Sequence, residues 1–548
     1  IGFAALWFTR PPCDFTLRSP RWSSRIALFF ALASLMRDVT LYEIFGVLLQ
    51  PDTFEYLLTG GNLLAEHTST GLPKRVFPYI AMNFLTRAHS TPLTLVWLQF
   101  LIGALAVGAL VYVLARRRLW LGILTGVLLT FDLSWGTYNR FLLTEGPFMS
   151  FHVLSLAVIL WHFDRRDRLR KRELIAAGVL FGWTLLFRGT GLPLIAPLLL
   201  IYVVMTRSLR QPLLVAAGIG AFLAGVLLFN LWRYDEVGLI GPQHDTLVSG
   251  LYSYHLFSPE NGPESAALDA ELRACMGYLD YDDVPRYENY FIYNHFNFCM
   301  LGLDEDGRFR EEPRLEVTAR VSRAFRELVF SRPFDYARAL LFELGKGVKF
   351  NTLEAALVNL RDTPQSVCAD WFGDDFCNKR TVFTGSPQTA ETLQTAIAAL
   401  TIPTQFHRAA GLISSESDAV FLAAFVMLCG FVSIAGRQRF AALMVIAFIA
   451  YHMLVSAAVH VLIARYTDVL SPFLIVLSAM AIGTFIEQAR GFRPRRWLVL
   501  AALPVIAYTL YANAALRSTI TEPVFAALNV DLLQKYTSAP ASSIEEIR

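Results

Sequence analysis

The chain has 548 residues, of which 55% are hydrophobic and 13% aromatic but only 17% charged, with a mean hydropathy of +0.45. That is more apolar surface than a soluble fold of this size buries, so the composition excludes an ordinary water-soluble enzyme and makes the bilayer the solvent of the chain. The net charge of +3 is small, and its information lies in where each sign falls.

Residues 1–25 carry Arg10, Arg18, Arg21 and Arg25 and read as a cytoplasmic segment. Ile1–Phe8 is too short an apolar run for a signal peptide, and the opening Ile reads as the start of a fragment. Apolar runs long enough to cross about 30 Å of hydrocarbon predict eleven spans, near 26–48, 93–114, 119–135, 147–163, 173–189, 191–206, 212–232, 419–436, 440–462, 467–487 and 497–515. The first contains Arg37 and Asp38. The expected fold class is therefore an all-α polytopic membrane protein of about eleven transmembrane helices, with a large extracytoplasmic loop domain of mixed or mainly helical structure over 233–418.

Basic clusters set the orientation. The runs at 116–118, 165–172, 207–210, 437–439 and 490–496 alternate with loops poor in Lys and Arg, which places the clusters in the cytoplasm. Residues 49–92, 136–146, 233–418 and the tail 516–548 then face outward, as do Arg188 and 463–466, so the expected domains are 26–232 and 419–515 in the membrane and 233–418 outside it. Cys275, Cys299, Cys368 and Cys377 lie in the outward segment, where an oxidising compartment favours disulfides; Cys275–Cys299 and Cys368–Cys377 are the simplest of three pairings. Neither pair has zinc-site spacing, and no metal cofactor is expected.

"QPDTFEYLLTGGNLL" at 50–64 puts Asp52, Glu55 and Tyr56 where the chain has just left the bilayer. A carboxylate at that boundary is costly to desolvate and points to a functional or paired group. The competing reading makes Asp52 the N-cap of a helix over 53–64. Further outward landmarks recur at the same depth: Arg140, Thr144 and Glu145 in "YNRFLLTEGPF", Arg188 in "LLFRGTGLP", and Arg465, Tyr466 and Asp468 in "ARYTDVLSPF". Singly, Glu145 could cap the next helix and the arginines could snorkel to headgroups.

Taken in order, "DTFEY", "GGNLL", "LLTEGPF", "FRGTGLPLIAPLLL" and "RYTDVLSPFLIVL" resemble the GT-C membrane glycosyltransferases, in particular the branch with the protein O-mannosyltransferases and lipid A aminoarabinose transferases. The resemblance covers roughly 25–210 and 419–490. It implies a GT-C-type helix bundle, a polyprenyl-phosphate sugar donor, a protein, lipid or glycan acceptor, and an acidic catalytic residue in the first outer loop, matched here by Asp52. Many relatives carry two adjacent acids there, whereas this chain has Thr53, so Glu55 is the candidate second acid. The resemblance also implies an integral protein of the bacterial plasma membrane with its site on the extracytoplasmic side. The chemistry is consistent: a carboxylate takes the proton of an attacking hydroxyl in an inverting displacement. Cationic forks such as Arg188 and Arg465, with Tyr56, Arg140 and Glu145 beside them, would hold the donor phosphate.

The outer segment is harder to read. "DYDD" at 280–283 and "DEDG" at 304–307 could hold a divalent cation but lack a complete EF-hand pattern and read as solvated loop. "RVSRAFRELVFSRPFDYARALLFELGKGVKF" has apolar residues at helical spacing and is expected to form one or two amphipathic interfacial helices broken near Pro333. The tail beyond 516 is mostly polar. Alternative functions are a sugar-polymer polymerase or O-antigen ligase, whose centre would lie in the late loop. A transporter is disfavoured by the lack of an internal repeat, and a non-catalytic GT-C-like assembly subunit by the presence of Asp52. No nucleotide-binding GxGxxG unit is present, and no nucleic-acid partner is expected.

Overall fold

The computed structural model describes, apart from a few single positions, residues 20–45, 77–88, 92–130, 132–239, 256–275, 314–346, 428–433, 439–459 and 468–490. Every regular element among them is a helix. In chain order these are α1 (Pro20–Phe45), α2 (Phe77–Leu85), α3 (Pro92–Arg117), α4 (Leu119–Thr130), α5 (Leu133–Tyr138), α6 (Glu145–Asp164) and α7 (Lys171–Leu185). They continue with α8 (Ile195–Thr206), α9 (Arg210–Tyr234), α10 (Pro263–Cys275), α11 (Arg314–Ser331), α12 (Pro333–Lys346), α13 (Arg439–Val459) and α14 (Ser471–Arg490). The chain divides into a unit of 1–241, 347–455 and 463–492 and a second unit of 242–346, 456–462 and 493–548.

In the first unit, α3, α6, α9 and the Arg439–Ser456 part of α13 are each long and apolar enough to cross a membrane. α1 has the length, but Arg37 and Asp38 interrupt its apolar run. Large side chains such as Phe29, Leu32 and Met36 on α1, Leu101 and Leu105 on α3, and Leu213 and Leu228 on α9 are exposed. A water-soluble fold would bury them, whereas hydrocarbon is a good solvent for these faces. α1 packs along α3 and α4, α3 along α6, and α7 along α9. The α7–α9 contact is close because Gly178 and Gly218 face each other: a Cβ on either would come within 2.2 Å of a backbone carbonyl of the opposite helix. Small residues are how helices in lipid approach one another without a hydrophobic driving force.

The helices follow the predicted spans from 26–48 through 212–232, and again at 440–462 and 467–487, with two differences. The span 119–135 is two helices, because Asp132 ends α4 and caps α5, its Oδ1 accepting from the Trp135 N–H at 3.3 Å. Leu186–Leu194 is not α-helical: α7 stops at Leu185, and a 3₁₀ segment, Gly189–Leu194, leads into α8. Only 428–433 of the span 419–436, and none of 497–515, falls within the described residues.

The second unit holds α10, α11 and α12. Val317, Val321, Ala324 and Leu328 form the buried stripe of α11, and α11 packs against α10, where Leu268 and Leu272 are buried. Glu327 accepts from the N–H groups of Glu264 and Ser265 at the start of α10, satisfying donors that a helix start leaves open. The break falls at Arg332–Pro333, where the amphipathic pattern placed it.

Candidate active site

The charged residues of the first unit collect at the two ends of its helices. At the arginine-rich end, Arg117 of α3 is buried and bonds Asp164 of α6 (2.9 Å from Nε) and the Leu160 carbonyl (3.0 Å). The opposite end, where α1, α5, α6 and the 3₁₀ segment meet, holds a denser polar network.

Its deepest part is built on Arg37 and Asp38. Arg37 donates from Nε to Asp38 Oδ1 at 2.8 Å and from Nη1 to the carbonyls of Leu129 (2.7 Å) and Asp132 (3.1 Å). It therefore satisfies the open carbonyl end of α4 where that helix breaks. Asp38, fully buried, accepts from Asn139 Nδ2 at 2.8 Å, while Asp132 Oδ2 accepts from Ser471 at the start of α14 (2.9 Å). Arg140 follows Asn139 and is 3% exposed. Burial lowers its pKa to about 9, opposed by the nearby Asp38 charge, so it remains a cation at neutral pH.

Tyr56 and Tyr79, which lie between α1 and α3 in the chain, are tied to this network. Tyr56 packs edge-on against Tyr79 of α2, with ring centroids 4.9 Å apart. The Tyr79 hydroxyl donates to Gln99 Oε1 at 3.2 Å, and Gln99 Nε2 donates to the carbonyls of Asn139 and Phe141, each at 2.9 Å. The Tyr79 phenol is pushed well above its ordinary value by burial, reinforced by Tyr56 and by the charge of Glu145. Residues 139–141 are thus clamped between α1 and α3, one loop residue after another, just before α6 begins.

At the start of α6, Glu145 is buried and pairs with Arg188 Nη2 at 2.6 Å. The Arg188 guanidinium also lies 5.2 Å from the centroid of the Phe148 ring. Two backbone features place Arg188 there. It precedes the 3₁₀ segment in extended conformation, and Gly191 lets that segment press on the end of α7, since a Cβ would sit 2.1 Å from the Leu185 carbonyl oxygen. Below, His152 donates from Nδ1–H to the Phe148 carbonyl at 2.8 Å. Among the described residues, the buried His152 Nε2 and Asn139 Oδ1 have no hydrogen-bond partner.

Of the residues singled out from the sequence, Arg140, Glu145 and Arg188 lie at this end of the first unit, and Tyr56 is attached to it through Tyr79 and Gln99. The structure adds that Glu145 and Arg188 are partners, so Glu145 helps to orient Arg188. Asp52, Glu55, Arg465 and the side chains of Cys275, Cys299, Cys368 and Cys377 lie outside the described residues. Sequence reasoning missed Arg37, Asp38, Gln99 and Asn139 as parts of one network. The available signal was an adjacent Arg–Asp pair inside an apolar span, which needs a polar partner from elsewhere.

Comparison with known proteins finds similarity to a family model over part of the chain. No curated protein matches the chain at a significant level. Archaeal oligosaccharyltransferase AglB from Archaeoglobus fulgidus, solved with an inhibitory peptide and a dolichol-phosphate, aligns with 89% of this chain and 54% of its own at 15% identity and a TM-score of 0.36. This chain therefore spans about half the length of that relative. ArnT from Cupriavidus metallidurans in the apo state aligns with 83% of this chain and 77% of its own at 14% identity and a TM-score of 0.30. Residues 75–232 match the family model described as dolichyl-phosphate-mannose-protein mannosyltransferase. Over that stretch, which holds Tyr79, Gln99, Arg140, Glu145 and Arg188, the resemblance to GT-C glycosyltransferases read from the motifs holds.

Proposed function

We propose that the protein is an integral membrane glycosyltransferase that moves a hexosyl or pentosyl unit from a polyprenyl-phosphate donor to an acceptor hydroxyl on the extracytoplasmic face. The observation that carries the reading is the chain of contacts from Tyr56 through Tyr79 and Gln99 to 139–141. It fixes the residue four places after Asp52 to the helix ends that hold Arg140, Glu145 and Arg188. Asp52 is assigned as the base that accepts the hydroxyl proton while the hydroxyl oxygen attacks the anomeric carbon and the phosphate departs, giving inversion. Arg188, oriented by Glu145, and Arg465 are assigned to the phosphate, whose negative charge grows as the glycosidic bond breaks. The unpartnered acceptors His152 Nε2 and Asn139 Oδ1 suit hydroxyl donors such as those of a sugar.

The test uses the chain purified in detergent with the polyprenyl-phosphate sugar identified by mass spectrometry of its co-purifying lipids. Asp52→Asn is expected to keep donor binding and lower transfer by about 10²–10⁴-fold, the range for loss of a positioned general base. Asn caps helices about as well as Asp, so a fully active Asn variant would leave Asp52 as a helix cap and overturn the catalytic assignment.

A further inference from the structure

At the arginine-rich end of the first unit, two guanidiniums converge on one indole. Arg116, from the last turn of α3, lies 5.5 Å from the Trp161 ring centroid, and Arg165, just past α6, lies 5.1 Å from it. Arg116 also donates to the Tyr112 hydroxyl at 3.2 Å, and the Tyr112 and Trp161 rings are 5.9 Å apart. None of the three local carboxylates pairs closely with Arg116 or Arg165: Asp167 is 91% exposed and lies 4.0 Å from Arg166. Asp164 is taken by Arg117, and Glu173 caps α7 through the Arg170 N–H, reaching Arg165 only at 3.7 Å. Arg116 has no acidic partner among the described residues, and its Nε is buried with no hydrogen-bond acceptor. A pair of cations gathered on one aromatic ring, with donors left over, is short of an anion.

The helix leading to this pair has the shape of a lipid's other half. At about 100° per residue, Leu101, Leu105, Tyr112 and Arg116 lie within about 60° of one another on α3. Leu101 is 50% and Leu105 66% exposed. The face thus has two exposed leucines, then Gly108 close to Ala27 and Ala31 of α1, then the part-exposed Tyr112–Arg116 rim, the order apolar to aromatic to cationic that is met from acyl chain to headgroup. A free phosphate would use only the rim.

We infer that Arg116, Arg165 and Trp161 form a binding site for the headgroup of an anionic phospholipid, with an acyl chain lying along the Leu105–Leu101 face of α3. The site is at the end of the helices opposite Glu145 and Arg188, and does not depend on the proposed sugar transfer. It is tested by native mass spectrometry of the full chain in detergent, titrated with dioleoyl phosphatidylglycerol or with dioleoyl phosphatidylcholine. The wild-type chain is expected to retain phosphatidylglycerol preferentially. Arg116→Gln and Arg165→Gln should each weaken its retention roughly five-fold, the scale of one basic residue at an anionic lipid surface. Arg168→Gln, an exposed arginine at the same end, should leave retention unchanged. If the Gln variants do not fold, Arg116→Lys, which keeps the charge but loses the planar fork, should still weaken retention. Equal retention of the two lipids, insensitivity to both arginines, or complete displacement of the lipid by millimolar inorganic phosphate would each overturn the inference.

Discussion

Glu145 and Arg188 form a buried ion pair whose part in stability can be separated from its proposed part in donor binding. Both are largely buried, with side-chain exposures of 2% and 11%, so each charge depends on protein partners, the other residue among them. Breaking such a pair from one side typically costs about 3–5 kcal/mol because a buried charge is left uncompensated. Glu145→Gln should therefore lower the thermal stability of the purified chain markedly. The donor phosphate, if it sits on Arg188, replaces the missing negative charge, so added polyprenyl-phosphate donor should raise the stability of Glu145→Gln more than that of wild type. Equal stabilisation of the two would remove Arg188 from the phosphate site. The two residues were legible singly, as charges at the ends of apolar runs. Their partnership was not, because 43 residues separate them and nothing local in either motif specifies the other.

Among the helices, the contact between α7 and α9 gives the sharpest test of how this bundle packs. Gly218→Ala would drive a methyl to 2.2 Å from the Ile175 carbonyl oxygen, whereas a Cβ at Gly220, two residues along, meets nothing within 4 Å. Gly218→Ala is expected to destabilise by about 1–3 kcal/mol through overpacking, and Gly220→Ala to be neutral or slightly stabilising. Similar losses for both would mean that α7 and α9 do not touch at these glycines. The positions of α3, α6 and α9 were readable because each is an uninterrupted apolar run that ends in arginines or a loop. The break at Asp132 was hidden for a physical reason: a capping Asp within an apolar stretch looks like a tolerated polar residue until Trp135, Ser471 and Arg37 are seen around it. The turn at Arg188 was readable from "LLFRGTGLP", but its 3₁₀ form was not, because apolar composition does not distinguish it from α-helix; α8 itself has 12 residues and covers about 18 Å.

Across the whole molecule, the proposed orientation makes two measurable statements. In a cysteine-free background, a thiol at Val237, which is 74% exposed, should react with a membrane-impermeant reagent added outside cells. A thiol at Asp167, whose side chain is 91% exposed, should react only after permeabilisation; the reverse pattern would move the candidate active site to the other face. Non-reducing peptide mapping of the native chain should also find Cys275 joined to Cys299 and Cys368 to Cys377, and four free thiols would remove the oxidising-compartment reading. The Arg37 contacts carry a consequence for how the chain is made. On the proposed topology Arg37 and Asp38 enter the bilayer before any partner but each other has been made, and charges within a membrane helix are costly. Their remaining partners, the Leu129 and Asp132 carbonyls and the Asn139 amide, are synthesised 92, 95 and 101 residues later. At about 5–20 residues per second the ribosome needs seconds to supply them, so on the proposed topology the final seating of α1 is expected to follow the arrival of α4 and α5.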